Sequence, residues 1–314
     1  QVFKVIMVPD NETHMAEFIL LGFPAPPGLQ ALLFVIFLAV YVLTITENLI
    51  IILLIVTSPQ LHRPMYFFLG HLAFLEACYI SVTVPKLLLS LVGSTKSISF
   101  LGCMAQLYFF IALACTECVL LAVMALDRCV AICTPLYYPL TMSPRACRQL
   151  ATGSWLLGLL TALLKVFFIS QLSFCGPRVI NHFYCDISPL LNLSCSQRRR
   201  AEVVDFISAL LILLIPFCAI IISYTCIIST VLLVPKAQNR GKAFSTCASH
   251  LAVVIIFFSA TLFMYARPRS IRSWDLNKLV SIIYTIITPM LNPFIYCLRN
   301  QEIKDTLLKV LCSR

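Results

Sequence analysis

The chain alternates between long apolar runs and short polar or proline-rich breaks along its whole length. A transmembrane α-helix needs about 20 apolar residues to cross roughly 30 Å of hydrocarbon. A membrane β-barrel would instead need short segments with period two, whereas IIILLIVT and ALLILLIPFCAIIIS are continuously apolar. The pattern therefore predicts an all-α membrane protein, a seven-transmembrane helix bundle over residues 29–57, 65–90, 101–133, 147–170, 203–234, 242–266 and 276–298.

The composition indicates that lipid is the solvent. Of the 314 residues, 60% are hydrophobic and 11% are charged, against roughly half and a quarter in a soluble domain. The net charge is +10, but the Lys and Arg residues are not interleaved with aromatic side chains as on a nucleic-acid-binding surface. We therefore expect membrane lipid, and no nucleic acid, among the partners.

The pattern divides the chain into three regions. Residues 1–28 form an N-terminal tail, 29–298 the helix bundle, and 299–314 a cytoplasmic segment and tail. The spacing of apolar residues in the last region predicts a short amphipathic helix on the membrane surface, and Cys312 is a candidate palmitoylation site. Its apolar positions are Ile303, Leu307, Leu308 and Leu311.

The orientation of the chain has to come from signals other than charge. With the N-terminus outside, only about half of the 23 Lys and Arg residues are cytosolic, so the positive-inside rule gives no answer. The sequon Asn11-Glu12-Thr13 is usable only in an extracellular or lumenal tail. It favours an extracellular N-terminus and makes Asn11 the candidate glycosylation site. We expect no cleavable signal peptide, so the first span is expected to act as a signal anchor.

Four of the 15 cysteines lie where disulfide bonds can form. Cys175, Cys185 and Cys195 follow one another at intervals of ten in one long polar loop, and Cys103 opens the third span on the same side of the membrane. An extracellular location allows these four residues to form two bridges, and the sequence leaves all three pairings open.

The third span carries two charges on one face. Cys103 and Arg128 are about 37 Å apart along a helix, slightly more than the hydrocarbon thickness. Both charges should face the bundle interior, since exposure to lipid costs about 3 kcal/mol or more for each. Asp127 is expected to pair with Arg128 and to leave the guanidinium available to a cytosolic partner. A stripe about 60° wide contains Cys103, Phe110, Ala114, Glu117, Leu121 and Arg128.

A second motif of this span is Cys115-x-x-Cys118. Helix geometry turns Cys115 about 140° from the inward stripe, and a CxxC motif without a supporting histidine is a weak metal signal. We therefore predict no metal site.

Several stretches follow one another in the order of a known family. They are FILLGF ahead of the first span, LHRPMYFFL (61–69), MALDRCVAICTPLYYP (124–139), SY (223–224), KAFSTCASHL (242–251) and PMLNPFIYCLRN (289–300). With these motifs the chain resembles the rhodopsin-like G-protein-coupled receptors and, within them, the odorant receptors. The resemblance implies a receptor that binds small, largely apolar volatile molecules and activates a stimulatory, olfactory-type G protein to raise cyclic AMP. It also implies the plasma membrane of olfactory neuron cilia.

The resemblance assigns roles at the cytoplasmic end of the bundle. Arg128, in the triplet Asp127-Arg128-Cys129, would engage the G protein, although Cys129 stands where the family commonly has tyrosine. Proline 293 removes a helical hydrogen bond, and Asn292 can satisfy freed groups. The implied activation residues are Asp127, Arg128, Tyr224, Asn292, Pro293 and Tyr296.

The resemblance also implies an interior polar site and a ligand pocket. Two carboxylates in the bundle repel unless a cation or a shared proton intervenes, so a sodium ion is one candidate occupant. Glu76 replaces the aspartate that is usual in the family. The interior residues are Asn48, Glu76, Glu117 and Asn292. The pocket residues are Leu107, Phe110, Ile111 and Ala114; Asp205, Ser208 and Ile212; and Phe258, Leu262 and Tyr265. The implied disulfides are Cys103–Cys185 and Cys175–Cys195, which hold a loop over the pocket.

Two other classes of membrane protein fit the sequence less well. A transporter or channel would be expected to show internal repeats, broken helices in corresponding halves or rings of pore charges. We find none of these patterns in the sequence. A membrane enzyme needs converging acids, bases or metal ligands, and Glu76 with Glu117 is the one interior carboxylate pair, without HExxH or GxSxG. We therefore expect a receptor and not an enzyme.

Overall fold

The computed structural model describes residues 17–93, 96–175, 178–195, 198–233, 237–266, 274–299 and 301–312. Asn11 lies outside these residues. The first five spanning helices are α1 (Pro27–Thr57), α2 (Pro64–Leu91), α3 (Phe100–Cys133), α5 (Pro144–Ser170) and α7 (Arg199–Leu233). The sixth is α8 (Ala237–Ala266), and the seventh consists of α9 (Trp274–Ile282), a π-helical turn (Ile283–Ile287) and α10 (Thr288–Arg299). The predicted seven-helix bundle is confirmed.

Each spanning helix starts before the apolar run that predicted it, because the first turn lies among polar or proline residues. Proline is the first residue of α1, α2 and α5, where its missing N–H would be unsatisfied in any case. Ser99 caps α3 by accepting a hydrogen bond from the Gly102 N–H at 3.1 Å, and Ser143 caps α5 by accepting from the Ala146 N–H at 3.4 Å.

Helix α3 is the centre of the bundle. In its most apolar stretch 67% of residues are buried, against 11% in the corresponding stretch of α1. The remaining faces of the outer helices carry exposed Leu, Ile, Val and Phe side chains, as expected for surfaces that contact lipid. Neighbours on several sides therefore cover α3, and its inward surface is wider than one stripe.

A small sheet and two disulfides close the end of the bundle at which α1 begins. Strand β1 (Glu17–Leu20) lies between β2 (Ser97–Ser99), which is antiparallel to it, and β3 (Val179–Ile180), which is parallel. Both implied disulfides are present in the structure. Cys103 and Cys185 have a Cα–Cα distance of 5.5 Å, and Cys175 and Cys195 have one of 5.8 Å. The loop between α5 and α7 is thereby tied to the start of α3.

Two short helices lie outside the spans on the cytoplasmic side. Helix α4 (Tyr138–Thr141) follows α3, and the predicted amphipathic C-terminal helix is α11 (Gln301–Cys312). Glu302 anchors α11 to the first cytoplasmic turn by accepting hydrogen bonds from Arg63 at 2.9 Å and from the Tyr66 hydroxyl at 2.7 Å. Ile303 is buried while Leu308 is exposed. The side chain of Cys312 lies outside the described residues.

A close approach between α3 and α5 depends on a glycine. A Cβ atom at Gly158 would overlap the Thr116 hydroxyl and lie 2.6 Å from the Ala112 carbonyl oxygen. Only a residue without a side chain fits this contact, since packed interiors leave no room for an added carbon.

We expect Gly158→Ala to destabilise the receptor by about 1–3 kcal/mol, because α3 and α5 have to separate to admit the methyl group. The measurement is the melting temperature of the purified receptor. Gly153→Ala on the same helix is the control, since a Cβ there meets no atom within 4 Å, and its melting temperature should stay the same or rise. Equal melting temperatures for both variants would contradict the packing argument.

Candidate functional site

A cavity of about 410 Å³ lies in the extracellular half of the bundle. Helices α3, α5, α7 and α8 form its walls, and α6 (Ile187–Leu193), in the disulfide-bonded loop, forms its roof. The π-helical turn of the seventh span adds Tyr284. A volume of this size is typical of sites for small organic molecules.

Five of the ten predicted pocket residues line this cavity: Phe110, Ala114, Asp205, Ile212 and Leu262. Leu107, Ile111 and Phe258 are buried but lie outside the lining, and Phe258 packs against Phe217 with ring centroids 5.4 Å apart. The Ser208 hydroxyl donates to the Val204 carbonyl of its own helix at 2.6 Å, a bond that serine commonly makes inside helices. The side chain of Tyr265 lies outside the described residues.

One polar feature of the cavity was missed by the sequence analysis. Lys165 of α5 donates to the Asp205 carboxylate of α7 at 2.8 Å, and their side chains are 3% and 19% exposed. Lys165 lies within the predicted span 147–170, and no role was predicted for it. A lysine within an apolar span was itself the available signal, since such residues face the bundle interior and pair there.

The structure corrects the orientation assigned to Cys115. Both Cys115 and Cys118 are buried and line the cavity, although the helical stripe placed Cys115 away from the interior. The prediction for Cys115 assumed that α3 has a single inward face, whereas α3 has neighbours on several sides. The side of α3 that carries Cys115 also lines the cavity.

The roof is fixed by hydrogen bonds from three helices. The Cys185 N–H donates to the Gln106 side chain of α3 at 3.0 Å, and Gln106 donates to the Val82 carbonyl of α2 at 2.9 Å. The Tyr184 and Tyr284 hydroxyls are 2.5 Å apart, which ties the loop to the seventh span. These bonds hold the roof in place independently of the disulfides.

His182, beside the roof, is held neutral. Its Nε2 lies 3.2 Å from the Ser281 hydroxyl. Burial, together with the smaller effect of the Lys278 charge, lowers the pKa of His182 to about 3. Lys278 itself donates to the Gly22 carbonyl at 2.9 Å. The neutral imidazole and the ammonium thus join the loop, the N-terminal strand region and the seventh span.

Of the four predicted interior polar residues, Glu76 and Asn292 are in direct contact. The Asn292 amide donates to the Glu76 carboxylate at 2.5 Å, and Glu117 and Glu47 are close enough for their charges to act on Glu76. The Asn48 amide donates to the Thr44 carbonyl of its own helix at 3.0 Å. The side-chain oxygens of Asn48 and Asn292 are buried and accept no hydrogen bond from any described residue.

At the cytoplasmic end, Asp127 has a different partner from the one expected. Its carboxylate accepts a hydrogen bond from the Tyr138 hydroxyl at 2.8 Å, and within the described part of the chain no ion pair joins it to Arg128. Consecutive helical side chains point about 100° apart, so Asp127 faces the loop helix α4 while Arg128 faces elsewhere. Burial raises the pKa of Tyr138, so its hydroxyl stays protonated and donates.

The other predicted activation residues are distributed over α7 and the seventh span. The Tyr224 hydroxyl lies 2.5 Å from Nδ1 of His250 on α8, a partner that the sequence analysis did not identify. Asn292 and Pro293 are buried within α10. One terminal nitrogen of Arg128 is buried and makes no hydrogen bond to any residue that the structure describes. The side chain of Tyr296 lies outside the described residues.

The arrangement of seven helices is that of a rhodopsin-type G-protein-coupled receptor. A crystal structure of squid rhodopsin matches 91% of this chain and 81% of its own with a TM-score of 0.71 at 16% sequence identity, a likeness of fold. A family model described as olfactory receptor matches residues 37–314.

Curated relatives agree with the family model. Olfactory receptor 6B1 of Homo sapiens is 59% identical over 301 residues, which cover 96% of each chain. Olfactory receptor 226 of Rattus norvegicus is 55% identical over 306 residues, 96% of this chain and 94% of the relative. The chain belongs to the olfactory receptor family. It is therefore a multi-pass membrane receptor for odorants that acts through a G protein, and it is not an enzyme.

We expect Asp205→Asn to destabilise the receptor by about 3 kcal/mol, because it removes the negative charge opposite the buried Lys165. Replacing both residues, as Lys165→Met with Asp205→Leu, should restore most of the lost stability. The melting temperature of the purified protein in one detergent measures both. Glu202→Gln is the control, because its i,i+4 pair with Arg198 is far more exposed, at 29% and 41%, and such a helical pair is worth about 0.5 kcal/mol. A double variant as unstable as Asp205→Asn would show that the ion pair is not the cause.

Proposed function

We propose that this receptor binds small, largely apolar volatile molecules in the cavity and activates a stimulatory, olfactory-type G protein, which raises cyclic AMP. Its N-terminus is extracellular, and its place is the plasma membrane of olfactory neuron cilia. The observation that carries the proposal is the roofed cavity of about 410 Å³ between α3, α7 and α8.

The cavity wall favours mainly apolar ligands that also carry a polar group. Phe110, Ile212 and Phe257 supply apolar surface, and Lys165 with Asp205 supplies a polar region. Further polar side chains of the lining are Ser188, Asn192 and Thr261. Burial of apolar area contributes about 25 cal/mol per Å², so a small odorant binds weakly and related molecules compete for the same space. The receptor should therefore respond to a group of similar odorants.

The cytoplasmic surface next to Arg128 supports coupling to a G protein. In the loop that contains α4, Leu136 is 90% exposed, Leu140 is 79% exposed and Tyr137 is 66% exposed. Exposed apolar residues form an interaction surface, and Arg128, which is partly buried, offers a planar, permanently charged donor. We propose that the G protein covers both.

The interior polar site fits a small hard cation such as sodium. Its donors are oxygen atoms: the Glu76 carboxylate and the buried side-chain oxygens of Asn48 and Asn292. Hard cations prefer such ligands. We propose that these three residues hold the ion, which would offset the repulsion between Glu76 and Glu117 and so stabilise the resting arrangement.

An odorant panel with a cyclic AMP readout tests the proposal in cells that express the receptor, normalised to surface expression. We expect responses to several related, mainly apolar odorants. A calcium response that persists when stimulatory G proteins are absent would reject the coupling while leaving the ligand class open. Failure of every odorant at normal surface expression would reject the ligand class.

Ala114→Phe should shift the active odorants toward shorter molecules, because Ala114 lines the cavity and phenylalanine fills part of its volume. Dose–response curves for a series of increasing chain length measure the shift. Leu101→Phe serves as control, since Leu101 lies on α3 and is 69% exposed. Unchanged potencies for the whole series at normal expression would mean that α3 does not contact the ligand.

Substitutions of Asp127 and Arg128 should have opposite effects. Asp127→Asn weakens the restraint at the end of α3 and should raise basal cyclic AMP about five- to thirtyfold, for a shift of about 1–2 kcal/mol in the resting equilibrium. Arg128→Ala should abolish the odorant response while odorant binding persists. A fully responsive Arg128→Ala receptor would reduce Arg128 to an anchor at the membrane edge.

The bond from Tyr138 provides a sharper version of this test. Tyr138→Phe removes the donor to Asp127 and should raise basal cyclic AMP in the same direction as Asp127→Asn. Tyr137→Phe is the matched control, because Tyr137 is exposed and neighbours Tyr138 in the same loop. A basal rise in both tyrosine variants would point to the loop as a whole and not to the bond.

A further inference from the structure

Four residues that line the cavity are also exposed on the outside of the bundle. Phe206, Leu210 and Leu214 of α7 are 68%, 44% and 48% exposed, and Leu262 of α8 is 57% exposed. A side chain that both lines a cavity and reaches the surface marks a place where the cavity wall is one side chain thick. We name these four residues the lateral wall.

The other sides of the cavity are closed more completely. Phe110 on the α3 side is 6% exposed, and Ile187 and Leu190 in the roof are 5% and 0% exposed. Below the lateral wall, the Phe217 and Phe258 rings pack against each other. Apart from Asn192 in the roof, which lines the cavity and is exposed, the thin part of the wall therefore lies in the gap between α7 and α8.

The lateral wall faces hydrocarbon and not water. Phe206, Leu210 and Leu214 are four residues apart, so they form one stripe about 12 Å long on α7. Their neighbours Ile207, Leu211 and Ile215 are also exposed, and the charged residues Arg199, Arg200 and Glu202 mark the extracellular end of the helix above them. A surface of this composition belongs in the lipid.

We propose that ligands enter the cavity sideways from the outer leaflet of the bilayer, through the lateral wall between α7 and α8. The inference rests on the proposed function in taking the cavity as the ligand site. The ligands that use this route are small apolar or weakly amphiphilic molecules, which the bilayer concentrates before they reach the receptor. Rotation of Leu214 and Leu262 side chains opens the path without unfolding the roof.

The cavity carries its own reporters of access, Cys115 and Cys118, which are free, buried and part of its lining. The experiment exposes the full-length receptor in lipid nanodiscs to N-cyclohexylmaleimide, a small apolar reagent that partitions into lipid. A sulfonated maleimide, which stays in water, is the comparison. Peptide mass spectrometry follows the labelling rate of each cysteine. Cys218, which is free and exposed on α7, reports the reagent available in the lipid.

The test variant is Leu214→Trp with Leu262→Trp, which thickens the lateral wall. We expect Cys115 and Cys118 to be labelled at least about tenfold more slowly by N-cyclohexylmaleimide in this variant, as when access needs a larger conformational change, with Cys218 unchanged. The matched control, Leu211→Trp, alters an exposed α7 residue that does not line the cavity and should leave all rates unchanged.

Three outcomes would overturn the proposal. In the first, Cys115 and Cys118 stay unlabelled while Cys218 reacts fully. In the second, the cavity cysteines of the double variant are labelled as fast as those of the wild type. In the third, the sulfonated reagent labels the cavity cysteines as fast as the apolar reagent does. The last outcome would place the entrance at the extracellular rim, where Asn192 lines the cavity and is exposed. No odorant or G protein is present, so these results are independent of any failure of the proposed signalling.

Discussion

The burial of α3 among its neighbours is the constraint on which the rest of the structure depends. This helix carries the disulfide to the roof at one end, part of the cavity wall and Glu117 in the middle, and the Asp127–Tyr138 bond at the other end. It reaches α5 closely because Gly158 has no side chain. One continuous helix thus joins the end of the bundle that carries the roof to the end that carries the Asp127–Tyr138 bond.

Lipid determines where the polar groups of this chain can lie. An uncompensated charge in hydrocarbon is expensive, and buried polar side chains of the described residues accordingly pair across the bundle, as in Lys165 with Asp205, Glu76 with Asn292, and Tyr224 with His250. Each pair joins two different spanning helices. The polar contacts therefore fix which helices are neighbours, whereas the apolar side chains are interchangeable over much of the outer surface. They also follow one another from the ligand cavity toward the cytosol.

The spanning helices could be predicted from the sequence, because hydrophobic runs of membrane length have few alternative structures. Most of the family motifs could also be read from it. The side-chain contacts between different helices of the bundle could not be predicted. The bond from Tyr138 to Asp127 depends on how the loop after α3 turns back, and the pairing of Lys165 with Asp205 depends on the rotation of two helices about their axes. Periodicity gives the faces of one helix but not the number of its neighbours, which is why Cys115 was assigned to the wrong side of α3. The three-stranded sheet left no clear pattern, since its strands have only two to four residues.

The position of β1 in that sheet has a consequence for the synthesis of the receptor. The strand begins at Glu17, yet one of its two partners, β3, begins at Val179, after four spanning helices have been made. Pairing between residues so distant in sequence is slow because a large loop must close first. The three-stranded sheet is therefore completed late, after the loop between α5 and α7 has been made. Until then β1 presents an unpaired edge, a feature that distinguishes an unfinished chain from a finished one.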